Sequence, residues 1–396
     1  MTATISLGKV VNVLAGQPAP KLTEFTDHGL PFIRAGSLEK LLSGMPEANC
    51  EKVDETAAQR NRLKLYPKGT VLFAKSGMSA KIGRIYQLRS PCYVVSHLAA
   101  LAPTGEYDPS YLSFWLMRNP PSQLINDGAY PSIRTSEISS LQVPNIDLSE
   151  QCRISEILLK AEAIRHKREQ ALKLADAFLK SVFLEMFGDP SSNPKGWNEI
   201  PLGQLLERID SGHSPRCHSH PAVDNELGVL KVSAISSTKF HPHKNKATFE
   251  GYKPKPLSLV RKGDLLFSRK NTYLLVGASA IVLEDVNNLI LPDLIFRLVP
   301  SKEGGLQIPF LWGLLTQTSM RNRIRELAGG AAASMPNIGK ARLKEMLIPV
   351  PDNNTQKKFT TVFSKHHDHI WKLRSDSEQA KSIFLALSQR AFAHKL

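Results

Sequence analysis

From Glu150 to Phe187 the chain runs without a glycine or a proline. Apolar residues recur there in rows seven apart: Ile157, Ile164, Ala171 and Phe178, then Ala161, Ala175 and Val182. Leu158, Leu172, Leu179 and Met186 widen the stripe. The pattern predicts one long amphipathic helix, closed by Gly188-Asp189-Pro190, with a length suited to a coiled coil. A second such pattern spans Thr355 to Phe392, with Phe359, Leu373, Ala380 and Leu387 in one row, His366 in its gap, and Ile370, Phe384 and Ala391 beside it. Helices of this size are about 50 Å long, and their stripes exceed what one small domain covers. Lengthwise pairing of the two is therefore expected, with the helices acting as a spacer. Elsewhere the pattern changes to short apolar or β-branched runs bounded by Gly, Pro, Lys or Asp, such as TVLFA, RIYQL, GVLKVSAI, DLLFS and ASAIVL. Helices are expected from near Asp108 and, longer, over Ile308 to Ala328.

The short runs occur twice in the same order. Leu7-Gly8 precedes an Ala-Gly turn at Gly16, and Leu202-Gly203 precedes a Ser-Gly turn at Gly212. IRAGSL answers LKVSAI, AYPSI (Ala129 to Ile133) answers SMPNI (Ser334 to Ile338), and LQVP answers MLIP. Lys68 and Lys262, and Gly83 and Gly277, are each 194 positions apart. An ordered series at nearly constant offset marks an internal repeat. Between matching frames, KSGMSAKIG becomes RKNTYLLVG. The shell repeats while the contents change, as two readers of two different targets would require. The expected architecture is α+β: two similar mixed α/β domains, separated and joined by two long antiparallel coiled-coil helices. The boundaries are 1–149 for the first domain, 150–187 for the central helix, 188–201 for a linker, 202–354 for the second domain and 355–396 for the second long helix. AGGAAAS (Ala328 to Ser334) reads as a small-residue loop within the second domain.

Charge narrows the partner. Fifty-one Lys and Arg against 36 Asp and Glu give a formal +15, which favours nucleic acid first. The cysteines (Cys50, Cys92, Cys152, Cys217) form no close pair, so no disulfide framework is implied. Neither a leader nor an apolar run long enough to span a bilayer is evident, and a cytoplasmic protein without membrane attachment is expected.

Enzyme motifs are sparse. There is no GxxxxGK[ST] phosphate loop, no G-x-S-x-G elbow and no HExxH. Asn119-Pro120-Pro121-Ser122 has the outline of the loop with which amino-methyltransferases hold a flipped base, but Ser122 stands where an aromatic would stack. It is more simply a rigid turn after a helix. His213, Cys217, His218, His220, His241 and His243 offer nitrogen and sulfur ligands for zinc, or equally a solvated loop facing phosphates. No resident metal or cofactor and no catalytic residue is assigned. The candidate DNA contacts are Lys75, Ser76, Lys81, Arg84 and Arg89 in the first domain, and Arg269, Lys270, Asn271 and Tyr273 in the second. Arg and Asn match purine edges, whereas Lys and Ser also serve phosphates. The helix seam is expected through Ile157, Ile164, Ala171 and Phe178 on one helix, and Phe359, Ile370, Leu373, Ala380 and Leu387 on the other.

Taken together, KGTVLFAKSG with KGDLLFSRKN, AYPSI with LQVPNIDLSEQCRI, SMPNI with MLIPVPDNNTQKKF, and FLEMFGDPSSNPKGW after the long helix resemble the DNA specificity subunit of type I restriction–modification systems, over essentially the whole chain. The sequence departs from the family pattern at Thr355-Gln356, where Glu150-Gln151 keeps the usual pair, and in the shortness of the Gly-containing segment Asp127-Gly128. The resemblance implies a non-catalytic chain that binds double-stranded DNA at a bipartite, asymmetric site. It would scaffold two modification subunits and motor-nuclease restriction subunits, with S-adenosylmethionine, ATP and Mg used by those partners. The competing readings are a stand-alone methyltransferase or nuclease, and a scaffold that has lost DNA recognition.

Overall fold

The computed structural model describes residues 3–223, 225–328 and 335–393. It divides into two units: residues 1–169 with 376–396, and residues 170–375.

In the first unit, strands β1 (Thr4–Ser6), β2 (Val11–Ala15), β3 (Leu30–Ile33), β4 (Lys52–Val53), β5 (Val71–Ala74), β6 (Ile85–Gln87), β7 (Tyr93–Val94), β8 (Leu98–Pro103) and β9 (Gln142–Pro144) form three small sheets, ordered β2-β8-β5-β6, β4-β3-β7 and β1-β9. In the second unit, β10 (Asn198–Pro201), β11 (Leu206–Ser211), β12 (Gly228–Leu230), β13 (Asn245–Ala247), β14 (Leu265–Ser268), β15 (Ser279–Ile281), β16 (Leu289–Ile290), β17 (Ile295–Pro300) and β18 (Leu347–Val350) repeat the plan as β11-β17-β14-β15, β13-β12-β16 and β10-β18. Among the named strands of the described residues, one pairing in each unit is parallel, β3 with β7 and β12 with β16.

Alternation along the central strands explains why each four-stranded sheet is covered on both faces. Phe73 and Leu101 point to the side packed by Tyr111, Leu112, Ile154 and Leu158, while Leu72 and Ala100 face Phe32, Leu38 and Leu41. In the second unit Phe267 and Phe296 meet Phe183, Phe310 and Phe359, while Leu266 and Ile295 meet Leu230 and Ile235. Two glycines are forced by close backbone approach. A Cβ on Gly16 would stand 2.2 Å from the Val94 carbonyl oxygen, and one on Gly212 would stand 1.6 Å from that of Leu291. The two Gly turns seen in the sequence are therefore one structural requirement met twice.

The long helices span Leu148–Phe187 and Asn353–Phe392. Each unit holds a segment of both, and the segments run antiparallel. In the first unit Arg165 lies over the Phe384 ring and Arg168 donates to the Asp376 carbonyl. In the second, His366 Nε2 is 2.8 Å from the Ala175 carbonyl oxygen and Phe359 packs edge-on against Phe183 and Phe187. Both helices begin with the same fastening. Gln151 Oε1 accepts from the Asp108 N–H at 2.8 Å, and Gln356 Oε1 accepts from the Gln307 N–H at 3.0 Å. Both amides also donate backward, to the Ile146 and Pro351 carbonyls. The glutamine, not the residue before it, makes this contact, so Thr355 in place of a glutamate leaves it intact.

Three sequence expectations are revised. The buried line of the first long helix passes through Ile154, Leu158, Leu179, Phe183 and Phe187. Ile164 is 51% exposed, Phe178 is 56% exposed although its ring stacks on His366 of the second helix, and Ile157 and Ala171 are only partly buried. Leu159, Leu174 and Leu184 are also exposed, so this helix has apolar residues on more than one face and a seven-residue count selects between them poorly. On the second helix Phe359, Ile370 and Ala380 are buried, and Leu373 and Leu387 partly so. The segment 188–201 is not all linker, because Asn198–Pro201 pairs with Leu347–Val350 as a two-stranded edge where Pro201 and Pro349 are tolerated. The helix expected over Ile308 to Ala328 is two helices, Ile308–Thr316 and Thr318–Glu326. Gln317 breaks them by taking an extended conformation, its amide held by the Gly313 carbonyl. Residues 329–334 of AGGAAAS, with Ser334 of SMPNI, lie outside the described residues.

Candidate nucleic-acid interface

The two variable loops start where β5 and β14 end, and identical backbone bonds hold them. The Lys75 and Arg269 N–H groups donate to the carbonyls of His97 and Leu294. Ile133 and Ile338 donate back to the carbonyls of Lys75 and Arg269, each at 2.8 Å. Gly77 and Asn271 then donate to Pro131 and Pro336, so AYPSI and the MPNI segment (Met335 to Ile338) brace the two loops in the same way. Each loop closes on a glycine with positive φ, +67° at Gly83 and +74° at Gly277, which returns the chain to β6 or β15.

Within this shared frame the contents differ. The first loop forms a short helix, Met78–Ile82, that exposes Met78, Lys81 and Ile82. The second is a turn that exposes Thr272, Tyr273, Leu274 and Leu275. Lys75 and Ser76 are partly exposed, and Ser76 Oγ is 2.8 Å from His97 Nδ1. Arg269 lies over the Phe296 ring, with Nε donating to Asn337 at 3.1 Å, and Lys270 beside it is partly exposed. These residues form one basic rim on each domain.

Three candidates stand apart. Asn271 is buried, and its side chain is used internally: the amide donates to Ser236 at 3.2 Å and its oxygen accepts from the Thr272 N–H. Arg84 is paired with Glu39 at 2.9 Å. Arg89 lies beyond the far end of β6, where its N–H caps the buried Glu47 carboxylate. At about 3.3 Å per residue that places it roughly 20 Å along the strand from Lys75. Sequence reasoning missed the apolar tips, Met78, Ile82 and Leu274, together with Tyr130, which is 82% exposed on the bracing segment. The available signal was the presence of large apolar residues, without strand or helix periodicity, inside basic loops. Such tips suit thymine methyls and the faces of sugars.

The histidine-rich segments lie on the smaller sheet of the second unit. His218 stacks on His220 and contacts Phe249, and His241 contacts His243. Among the described residues no three His, Cys, Asp or Glu side chains converge as a metal site. Burial first, then the neighbouring His243, Arg374 and lysine charges, hold His241 below the ordinary imidazole range. No helix among the described residues is long and apolar enough to cross a membrane.

Residues 2–174, which include the whole first loop and its brace, match the family described as the type I restriction modification DNA specificity domain. That match covers a little under half of the chain. Among the described residues the second unit repeats the strand order of the first, so the plan of the matched region is present twice. The specificity subunit of the Escherichia coli type I restriction enzyme EcoEI is 27% identical over 201 residues, 50% of this chain and 34% of that protein. The specificity subunit of the Methanocaldococcus jannaschii enzyme MjaIX is 22% identical over 217 residues, 49% of each chain. The matches thus span a third to a half of those relatives. The S subunit of the M. genitalium type I restriction-modification system superposes with a TM-score of 0.63 at 13% identity, over 98% of this chain and 96% of that one. A chain from a study of complex assembly and conformational transition in a type I system superposes with a TM-score of 0.52 at 16% identity, over 100% and 98% of the two chains. At these identities the structural likenesses establish a shared fold, that of a specificity subunit with mixed α/β domains and long helices.

Proposed function

We propose that this chain is the address-reading subunit of a type I restriction–modification complex, and that each specificity domain reads one half of a split, asymmetric DNA site. The observation that carries this reading is the pair of loops: backbone hydrogen bonds and closing glycines are the same in both, while every exposed side chain differs. A single site would have no use for two frames, and two identical half-sites would not need different contents. Lys75 and Lys81 serve the first half-site, and Arg269, Lys270 and Tyr273 the second. The formal +15 charge supplies sequence-independent attraction to the phosphates.

The two long helices set the gap between the half-sites. Their exposed apolar residues, among them Ile164, Leu174, Phe178 and Trp371, dock two modification subunits, which bring S-adenosylmethionine and methylate adenine. Motor-nuclease subunits that use ATP and Mg complete the complex. The chain itself performs no chemistry and works inside the cell beside its DNA. The test is binding of the assembled complex to DNA in which each half-site is scrambled in turn. Lys75→Gln with Lys81→Gln is expected to alter discrimination at one half-site only, and Arg269→Gln with Lys270→Gln at the other. Equal losses at both half-sites from both pairs would refute one domain per half-site.

A further inference from the structure

The second domain carries a basic element with no equivalent in the first. Behind Gly83 the first domain places Pro120, at the turn into Pro121–Leu124. Behind Gly277 the second places the helix Thr318–Glu326, whose Ile324 and Arg321 side chains approach the glycine most closely. That helix holds Arg321, Arg323 and Arg325, and among the described residues none of the three is paired with a carboxylate.

A buried arginine that serves only the fold looks different, and the same unit contains one. Arg297 is 6% exposed, is held by Asp210 and Asp264, and has further bonds to the Leu257 and Leu259 carbonyls. Arg321 is 8% exposed, yet among the described residues its side chain has one bond, from Nη2 to the Leu274 carbonyl at 3.2 Å, and its Nη1 is buried without a partner. Arg325 donates to the same carbonyl at 3.0 Å and to Asn322, lies 5.9 Å from the Tyr273 ring centre, and leaves its Nε unpartnered. Burial, then the neighbouring Arg325 charge, pull the Arg321 guanidinium down to about 10. Two adjacent guanidinium groups sharing one neutral acceptor carry an uncompensated cost in the free protein, which an incoming anion would offset.

We propose that Arg321 and Arg325 form a phosphate site for the DNA backbone, specific to the second domain, in which the partly exposed Arg325 meets the phosphate and Arg321 behind it strengthens the local positive potential. Both arginines hold the Leu274 carbonyl, so the site also fixes the pose of the Tyr273–Leu275 tip. Phosphate capture and loop geometry are thereby coupled at one point. The inference rests on the reading that the Arg269–Gly277 loop faces DNA.

The test is salt-titrated binding of the complete 396-residue chain, assembled with its modification subunits, to a short duplex carrying the mapped site and to its half-site-scrambled variants. Arg325→Gln should make the slope of log affinity against log salt shallower by about one and weaken binding to every duplex. Arg325→Lys should keep the wild-type slope. Arg321→Met should raise the melting temperature of the free protein by removing a desolvated, unpaired charge, and should weaken binding to all duplexes. A folded Arg325→Gln protein with the wild-type slope overturns the inference, as does an Arg321→Met protein that melts earlier. If the wild-type complex discriminates half-sites and the slope does not respond, only the phosphate site falls. If the wild-type complex does not discriminate, the DNA-reading assignment falls and takes the site with it.

Discussion

The Arg297 cluster gives a stability prediction whose control is written into the repeat itself. Arg297 sits on β17, opposite Asp210 on β11 and Leu266 on β14. Its Nε and Nη2 donate to Asp210 at 3.0 and 2.7 Å, and its Nη1 donates to Asp264 at 3.0 Å. The side chains of Arg297, Asp210 and Asp264 are 7%, 9% and 16% exposed. Burial works against the charged guanidinium, but the two carboxylates more than restore it and hold Arg297 above its ordinary range. Arg297→Met therefore leaves the enclosed Asp264 without a cation and Asp210 with only its ion pair to Arg208 at 3.2 Å, a loss of about 3–5 kcal/mol. For a domain of this size that is roughly 6–20 °C of melting temperature. The first unit meets the same topology without charge, since Ala100 on β8 faces Leu14 on β2 and Leu72 on β5, and Thr70 stands where the second unit has Asp264. The triple change Asp210→Leu, Arg297→Ala, Asp264→Thr copies that solution. It should recover most of the stability lost by Arg297→Met. Differential scanning calorimetry of the three proteins decides it: a triple variant that melts no higher than Arg297→Met would refute the argument that unpaired carboxylates, rather than lost packing, carry the cost.

Gly212→Ala would place a methyl 1.6 Å from the Leu291 carbonyl oxygen and should destabilise the protein far more than Gly36→Ala, whose new Cβ meets nothing within 4 Å; denaturant titration compares them. Leu158→Asp, at a fully buried position, should unfold the first unit. Ile164→Asp, at a half-exposed one, should leave circular dichroism unchanged and abolish co-purification with the modification subunits. Four residues inserted after Ala171, with four more after Ile370 to match the Ala175–His366 register, add about 6 Å to each helix. The preferred gap between half-sites should lengthen by one or two base pairs, as read from methylation of a variable-gap library, and an unchanged gap from an active complex would remove the spacer role.

The duplication was legible because its frame is made of residues with narrow conformational roles. Gly16 and Gly212 are fixed by backbone contact, Gly83 and Gly277 by positive φ, and Gln151 and Gln356 by the same buried bonds, so each pair persists through otherwise divergent sequence. The long helices were legible from their unbroken pattern, but the seam was not. Ile164 is apolar and half exposed, and Phe178 stacks on His366 yet stays largely exposed, so hydrophobicity alone does not tell how far a residue is packed within the chain. Composition also identified the basic loops, while the fate of single side chains depended on tertiary neighbours. Asn271 turns inward to Ser236, Glu39 comes to Arg84 from a separate helix, and Arg321 and Arg325 reach the second loop from 47 and 51 positions away from the carbonyl they share.

The most direct measurement is adenine-methylation mapping in cells that express the complex with the wild-type chain, and again with the exposed second-loop residues Lys270, Tyr273 and Leu274 replaced. The account predicts a bipartite motif for the wild type, and for the variant a change confined to one half of that motif, with the other half and the gap unaltered. A continuous motif, or a variant that alters both halves together, would contradict it.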